Sequence, residues 1–189
     1  NPYGYSKLVF EHILSDYYTA YNFSSIALRY FCPAGCDNAA GLGEYRVAES
    51  HVIPSIVKTL LKQRDEFCVY GIDYPTPDGT GIRDYIHISD VAVAHVQAMK
   101  KILSEDSLCT QYNIGINKGF LVMELIKAAE EGSGDKLVYS IKPRRGGDPS
   151  RLIADSSKAQ KELNWTPRVL DVRDMIKDSY EFFKMTSNS

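Results

Sequence analysis

Apolar and polar residues follow two different periods along the chain, and these periods predict alternating helices and strands. Residues 4–21 carry apolar side chains at helical spacing, and Asn22 is suited to end that helix. Residues 24–31 form a short apolar run, which is typical of a buried parallel strand. Because helices and strands continue to alternate toward the C-terminus, the pattern predicts the α/β fold class.

The remaining elements are predicted in the same way. Helices are expected over residues 54–62, from 89 or 90 to 103, 121–131, 158–163 and 172–185, and strands over 67–70, 83–88, 111–114 and 136–141. Loops are expected over residues 32–49 and 71–81, where Gly and Pro are frequent. Ser89 or Asp90 is predicted to cap one helix, and Ser156 another.

Composition excludes several functional classes. The 189 residues are 44% hydrophobic and 24% charged, with a net charge of −2, as in an ordinary soluble globular domain. No basic block favours nucleic acid, and no apolar run is long enough to span a membrane. The four cysteines and four histidines lack metal-ligand spacing. We therefore expect reduced, mostly buried thiols in a cytoplasmic protein without a metal site.

Tyr3 and Lys7 form the most informative local pattern. They stand four residues apart in the first predicted helix, so their side chains share one helix face, whereas Tyr5 lies on another. A cation beside a phenol favours the phenolate, which can take a proton from an alcohol. Surface residues without a chemical role are the alternative, because this spacing is common on helices.

The segment that holds Tyr3 and Lys7 and four further segments match the motifs of one family. They are Asn-Pro-Tyr-Gly-Tyr-Ser-Lys at 1–7 with Leu8 and Glu11, Ala-Leu-Arg-Tyr-Phe-Cys-Pro-Ala-Gly at 27–35, Glu-Ser-His-Val-Ile-Pro at 49–54, residues 70–87, and Pro-Arg-Arg-Gly-Gly-Asp-Pro at 143–149 with Ala154, Asp155 and Leu163 to Trp165. In this order, they resemble the extended short-chain dehydrogenase/reductase family, and within it the NAD-dependent sugar-nucleotide epimerases. The resemblance covers nearly the whole chain.

The resemblance implies a particular organisation. The chain would be the C-terminal part of a Rossmann-type protein with a mixed α/β substrate-binding domain. Residues 1–50 would complete the NAD-binding domain, and residues 51–189 would form mainly the UDP-sugar-binding domain, with residues 83–100 returning to the first. No Gly-x-Gly-x-x-Gly motif occurs, so the cofactor's phosphate loop is expected before Asn1.

The resemblance also implies an activity and its residues. The activity is the interconversion of UDP-glucose and UDP-galactose by 4-epimerisation through a 4-keto intermediate, with bound NAD. Tyr3 and Lys7 would be catalytic and would contact NAD together with Tyr30 and Phe31. The UDP-sugar would contact Cys32, His51, Val52, Cys68, Tyr70, Arg83, Tyr85, Arg145, Asp148 and Leu152.

The residue types suit such a ligand. The planar guanidinium groups of Arg83 and Arg145 match pairs of phosphate oxygens, although solvated surface charges are the alternative. Asp148 suits a ribose hydroxyl, and Tyr70 and Tyr85 either line a uracil pocket or pack within strands. Cys32 departs from the family's usual Asn, so substrate contact by its side chain is in doubt.

Two other functions and an assembly remain open. The chain could belong to another nucleotide-sugar dehydratase, decarboxylase or epimerase of the superfamily, or be a non-catalytic fragment that binds a nucleotide sugar. The resemblance further implies a homodimer through a four-helix bundle that includes the first helix. Its Leu8, Ile13 and Leu14 could equally belong to the domain core.

Overall fold

A computed structural model describes residues 1–46, 48–105 and 107–186. The helices are α1 (Pro2–Tyr21), α2 (Val52–Leu60), α3 (Ile88–Ser104), α4 (Val122–Ser133), α5 (Ser157–Glu162) and α6 (Val172–Thr186). The strands are β1 (Ser25–Tyr30), β2 (Cys32–Ala34), β3 (Phe67–Tyr70), β4 (Ile82–His87), β5 (Cys109–Ile114), β6 (Gly119–Leu121), β7 (Tyr139–Lys142) and β8 (Arg151–Leu152). Each predicted helix and strand is present; β3 has the predicted bounds, and the other elements differ from the prediction at one or both ends. The α/β prediction is confirmed.

Helix α1 has well-defined ends. The Asn1 side chain accepts a hydrogen bond of 2.9 Å from the Gly4 amide, which satisfies one of the free amides of the first turn. Asn22 ends the helix in the left-handed conformation, with φ of 52°, as its position in the sequence predicts. The helix contains no buried residue, although it lies against β1 and β5.

Strand β4 is the centre of the sheet that positions the candidate site. Its first half pairs with the antiparallel β6 and the parallel β8, and its second half pairs with the parallel β2. Strands β1 and β5 form a separate parallel pair, as do β3 and β7. The sequence pattern misses β2, β6 and β8, because two or three residues are too few to show an alternating period. The division of the chain at residue 50 stays a prediction.

The hydrophobic core lies among helices and strand ends. Helix α6 packs against both α2 and α4. Their contact faces supply fully buried side chains, which include Ile56 and Val57 of α2, Leu125 of α4, and Met175 and Phe183 of α6. These faces carry apolar residues at helical spacing, which is the pattern that predicts the helices.

Asp84 is a fully buried charge in the middle of β4. Its carboxylate accepts hydrogen bonds from the amides of Ile116 at 3.0 Å, Asn117 at 3.0 Å and Ala154 at 3.2 Å. Burial raises the pKa of this carboxyl, and the amide hydrogen bonds oppose the rise. Asp84 thus joins β4 to the turn after β5 and to the segment after β8.

The predicted cap of helix α3 is wrong. The helix begins at Ile88, and the preceding His87 caps it by accepting a bond of 3.2 Å from the Ser89 amide through Nδ1. Asp90 instead lies buried in the first turn, where its carboxylate accepts from the amides of Arg168 and Val169 at 3.0 and 3.1 Å. An aspartate can satisfy distant amides as well as those of its own helix, so sequence position alone misassigns it.

Ser156 precedes α5 as predicted, but its side chain does not cap the helix. Its hydroxyl and its amide both donate to Oδ1 of Asn117, each at 2.8 Å. Ser156 is fully buried, so this contact links α5 to the turn after β5.

Two further predictions concern the cysteines and the membrane. All four cysteines are free thiols, but only Cys36 is buried and the other three are half-buried, so burial is less than predicted. Within the described ranges, no helix combines the length and the apolar character that crossing a bilayer requires.

Candidate active site

The start of α1 presents Tyr3 and Lys7 on one face, as their spacing predicts. The Lys7 ammonium lies 5.2 Å from the centre of the Tyr3 ring. The Tyr3 side chain is 73% exposed in this chain, so its phenol is open to a ligand. A cation held beside an accessible phenol is suited to proton exchange with an alcohol.

The loop at residues 143–149 approaches the start of this helix. A Cβ atom placed on Gly147 would lie 3.6 Å from Cβ of Asn1, which is ordinary van der Waals contact. The next residue, Asp148, faces β4, where its Oδ1 lies 3.5 Å from Nη2 of Arg83. One loop therefore connects the Tyr3 helix to the predicted phosphate-binding arginine on β4.

Arg83 is held close to the sheet. Its side chain is 18% exposed, and its Nη1 donates a 2.8 Å bond to the carbonyl of Ile82. Leu152 of β8 stands beside it in the strand register and is 47% exposed. The remaining guanidinium donors, the Asp148 carboxylate and the Leu152 side chain thus border one surface.

Arg145, which lies in the same loop as Asp148, contacts Tyr70. The Arg145 guanidinium carbon lies 4.0 Å from the centre of the Tyr70 ring, which is a cation–π contact. Tyr70 is the last residue of β3 and is 39% exposed. Cys68 precedes it on the same face of the strand and contacts the Ser140 hydroxyl at 3.7 Å. The structure thus brings Tyr70 and Arg145 together.

Cys32 and Tyr85 are neighbours in the register of β2 and β4. Burial raises the pKa of the Cys32 thiol to about 11, and the charge of Arg83 opposes the rise. Tyr85 is 4% exposed and packs beside Phe120, so burial also raises the pKa of its phenol. The packing that the sequence left as an alternative is therefore present for Tyr85, and substrate contact by either residue stays a prediction.

Tyr30 and Phe31 lie at the end of β1. The Tyr30 ring is 49% exposed and lies 5.8 Å from the ring of His95. The Phe31 amide donates to the carbonyl of Ile114 at 3.1 Å and is therefore already occupied. Cofactor contact at this strand end stays a prediction.

His51 caps helix α2, and Val52 is its first residue. The side chain and the amide of His51 make polar contacts with Glu44 and Glu49. The His51 Nδ1 atom lies 2.8 Å from Glu44, and its amide donates to Glu49 at 2.9 Å. Ligand atoms of these three residues lie within 4.8 Å of one another, a spacing that could hold a cation. Lys58 lies 3.5 Å from Glu49, however, and therefore already supplies positive charge. A substrate role for His51 and Val52 stays a prediction.

Sequence reasoning misses two residues that organise the site. Asp84 lies between Arg83 and Tyr85 and fixes β4 through buried hydrogen bonds. Arg144 pairs with Asp73, with 2.6 Å between Nε and Oδ1. From the sequence, Arg144 could be interpreted only as a surface charge without a known partner. A charged residue inside a predicted strand is the available signal for Asp84, whereas the Arg144 pair has no local signal.

The sequence of this chain matches a known protein family. The family model described as GDP-mannose 4,6 dehydratase matches residues 1–179. The chain belongs to this family. The GDP-mannose 4,6 dehydratase family match includes the Tyr3 helix, β4 and the loop at 143–149 within one continuous alignment.

Several known proteins that are similar to this chain are UDP-glucose 4-epimerases. UDP-glucose 4-epimerase of Corynebacterium glutamicum is 38% identical over 182 residues, which cover 96% of this chain and 54% of that protein. UDP-glucose 4-epimerase from Bifidobacterium longum, solved in complex with NAD+ and UDP, has a TM-score of 0.92 and 41% identity, covering 100% of this chain and 56% of that one. The Stenotrophomonas maltophila enzyme, solved with NAD and formylated UDP-arabinopyranose, has a TM-score of 0.92 and 39% identity, with the same coverage.

These matches confirm the resemblance to sugar-nucleotide epimerases. The chain spans about half the length of the relatives that it matches. Their activity and ligands therefore belong to those proteins and are carried to this chain only as proposals.

Proposed function

We propose that the protein takes part in NAD-dependent 4-epimerisation of a UDP-sugar, interconverting UDP-glucose and UDP-galactose. The observation that carries the proposal is that the loop at 143–149 approaches Asn1, the cap of the Tyr3 helix, and places Asp148 3.5 Å from Arg83. In the proposal, this loop brings the candidate proton acceptor Tyr3 and the guanidinium groups of Arg83 and Arg145 to one ligand. A nucleotide sugar has the matching groups, a sugar hydroxyl and a diphosphate.

Tyr3 carries the proton chemistry in this proposal. As phenolate, it takes the proton of the sugar 4-hydroxyl, and as phenol it returns the proton after the 4-keto sugar has turned its other face. Lys7 stabilises the phenolate through its positive charge, since it lies on the same helix face. The exposure of Tyr3 supports this role, because the phenol is accessible to a sugar.

The nucleotide end is bound by Arg83, Arg145 and Asp148. Guanidinium groups hold phosphate oxygens through paired hydrogen bonds, and Asp148 accepts from a ribose hydroxyl. In the structure, Asp148 faces Arg83 and Arg145 lies over Tyr70, so each of these side chains already has a weak partner that a ligand can replace. Leu152 borders the same surface and would contact the sugar.

Residues of this chain also fit a nicotinamide cofactor. Lys7 would bond its ribose, and the end of β1 at Tyr30 and Phe31 would lie beside the ring; the exposure of the Tyr30 side chain supports this fit. NAD would supply the hydride acceptor and donor, while the chain binds and orients the sugar and moves its proton. A cytoplasmic compartment belongs to the same proposal, since the sequence predicts reduced thiols.

The test replaces Tyr3 by phenylalanine in the protein expressed at its natural full length. Conversion of UDP-galactose to UDP-glucose should fall by about 10²- to 10⁴-fold, because a general base contributes that much. UDP binding, measured by calorimetry, should persist, since the phenol does not contact the nucleotide. Product analysis in the same assay distinguishes the epimerised sugar from the dehydrated product that a dehydratase would release.

Tyr5→Phe is the matched control. Tyr5 has similar exposure, 68%, but lies two residues from Lys7 on another helix face. Its variant should keep turnover within about twofold of wild type. Turnover by Tyr3→Phe at the wild-type rate would reject the catalytic role. A wild-type protein that binds UDP without turnover would favour the non-catalytic nucleotide-sugar-binding function instead.

The proposal includes a homodimer through α1 and α3. Helix α1 exposes Leu8 and Ile13, by 46% and 43%, whereas Leu14 is half-buried. Helix α3 exposes Val96 and Met99 by 45% and 56%. Exposed apolar residues on two helices support association with a second copy, because such patches often mark interfaces.

Light scattering on the full-length protein tests this assembly. Met99→Glu should convert a dimer into a monomer, since a charge would be buried in the interface. Leu170→Glu is the control, because Leu170 is 54% exposed but lies outside both helices. A Met99→Glu protein that stays dimeric would reject this interface.

A further inference from the structure

Two consecutive arginines in the loop at 143–149 contact the end of β3 and the segment that follows it. Arg145 lies over Tyr70, and Arg144 reaches Asp73 and Tyr74. Strands β3 and β7 pair in parallel up to Tyr70 and Lys142, and their last backbone bond runs from the Gly71 amide to the Lys142 carbonyl at 2.8 Å. The side-chain contacts of the arginines therefore continue the strand pairing where the backbone ladder ends.

Arg144 is anchored on three sides. Its Nε donates to Oδ1 of Asp73 at 2.6 Å, and its Nη2 donates to the carbonyl of the same residue. The guanidinium carbon lies 4.2 Å from the centre of the Tyr74 ring, which is 7% exposed and thus a fixed platform. Lysine cannot reproduce this set, because it lacks the planar fork that bonds and stacks at once.

The backbone around Gly71 is shaped to admit Arg144. Gly71 has φ of 82°, and a Cβ atom there would lie 2.6 Å from Cγ of Arg144 and 2.8 Å from Tyr74. A side chain at this position would displace the arginine stem or the ring. The segment thus leaves a space that Arg144 fills, between the end of β3 and Tyr74.

The consequence of this anchoring reaches the ligand-binding groups. Since Arg144 fixes the backbone of its loop, it also fixes where Arg145 and Asp148 stand. We infer that Arg144 is a positioning residue for the nucleotide end of the site: it acts through Arg145 and Asp148 and contacts no reacting atom. This inference rests on the proposed function, because it assumes that these two side chains bind a uridine nucleotide.

The test compares variants of the full-length protein in UDP binding and in turnover of UDP-galactose. Arg144→Met keeps the aliphatic stem and removes the fork; Arg144→Lys keeps the charge as well. Both should raise the Kd for UDP and the KM about tenfold, a change of about 1.4 kcal/mol, with kcat within about twofold of wild type. Asp73→Asn should raise both constants in the same direction, since it weakens the anchor without touching the arginine.

Arg173→Met is the matched control. Arg173 also pairs with a nearby aspartate, Asp171, at 3.2 Å, but it lies at the start of α6 away from these loops. Its variant should bind UDP as wild type does. Thermal unfolding of all variants within about 2 °C of wild type separates positioning from general stability.

Each outcome decides the inference. Wild-type UDP affinity in Arg144→Met and Asp73→Asn would overturn it, and so would a fall in kcat with an unchanged KM. If Arg144→Met does not fold, Asp73→Asn alone decides by its Kd. Failure of wild type itself to bind UDP would overturn the proposed function, whereas failure of only the variants to differ overturns the positioning role.

Discussion

Replacing Asp84 by asparagine should lower the free energy of unfolding by about 3 kcal/mol. Oδ2 of this buried carboxylate accepts from two amides, those of Asn117 and Ala154, and Oδ1 accepts from Ile116. An asparagine keeps one acceptor oxygen, and its amino group would face N–H donors. The amide oxygen can take the place of Oδ2 and keep two bonds, so the bond from Ile116 is lost, which is worth about 1.5–3 kcal/mol for a charged acceptor. The buried Ile116 N–H then faces an amino group, which costs a further amount of about 1–3 kcal/mol, while removal of a buried charge returns part of that sum.

Urea unfolding followed by the fluorescence of Trp165 measures this effect. That indole is 1% exposed and donates to the carbonyl of Asp90, so its emission reports on the core. Asp135→Asn is the control, because Asp135 is exposed and should change stability by less than about 0.5 kcal/mol. A loss below about 1 kcal/mol for Asp84→Asn would refute the inference that its carboxylate joins three segments.

Three further outcomes follow from local geometry. The hydrogen bond with Arg29 lowers the pKa of Glu11, so the stability from this pair is present above the ordinary carboxyl range and is lost as pH falls through the lowered pKa. Glu11→Gln should therefore make the free energy of unfolding depend less on pH in acid. An unchanged pH dependence would contradict this. Gly79→Ala should lower the free energy of unfolding, measured in urea, by more than about 1 kcal/mol, because φ is 80° and a Cβ atom there would lie 2.0 Å from the Ile72 carbonyl oxygen. Gly132→Ala, in open space on α4, is the control and should be neutral or stabilising. At pH 8 iodoacetamide should modify Cys32 about 100-fold more slowly than an ordinary thiol, since burial raises its pKa to about 11; equal rates by mass spectrometry would contradict this.

The fold is predictable from sequence wherever one period persists. Helix α1 and strand β3 lie where the apolar pattern predicts them, because each is long enough or sharply bounded by Asn, Gly or Pro. Strand β8 has two residues, and its pairing with β4 depends on a chain segment about 70 residues away. Such elements are stabilised by tertiary contacts, and the sequence near them carries little signal.

The candidate site divides in the same way. Tyr3 and Lys7 meet because helical geometry brings residues four apart to one face, so their contact is predictable. The pair of Arg144 and Asp73 spans 71 positions, and its geometry requires the parallel pairing of β3 with β7. Asp90 shows the same limit, since its buried carboxylate satisfies amides beyond the helix that it was predicted to cap.

The three tasks of β4 constrain how this protein can change over evolutionary time. Arg83 faces Asp148, Asp84 faces inward to three amides, and the following residues join β2, with side chains alternating between the two faces. Inserting or deleting one residue would reverse every face beyond the change, burying the guanidinium and turning the carboxylate away from its donors. Strand β4 can therefore accept exchanges of residue type more readily than any change in length.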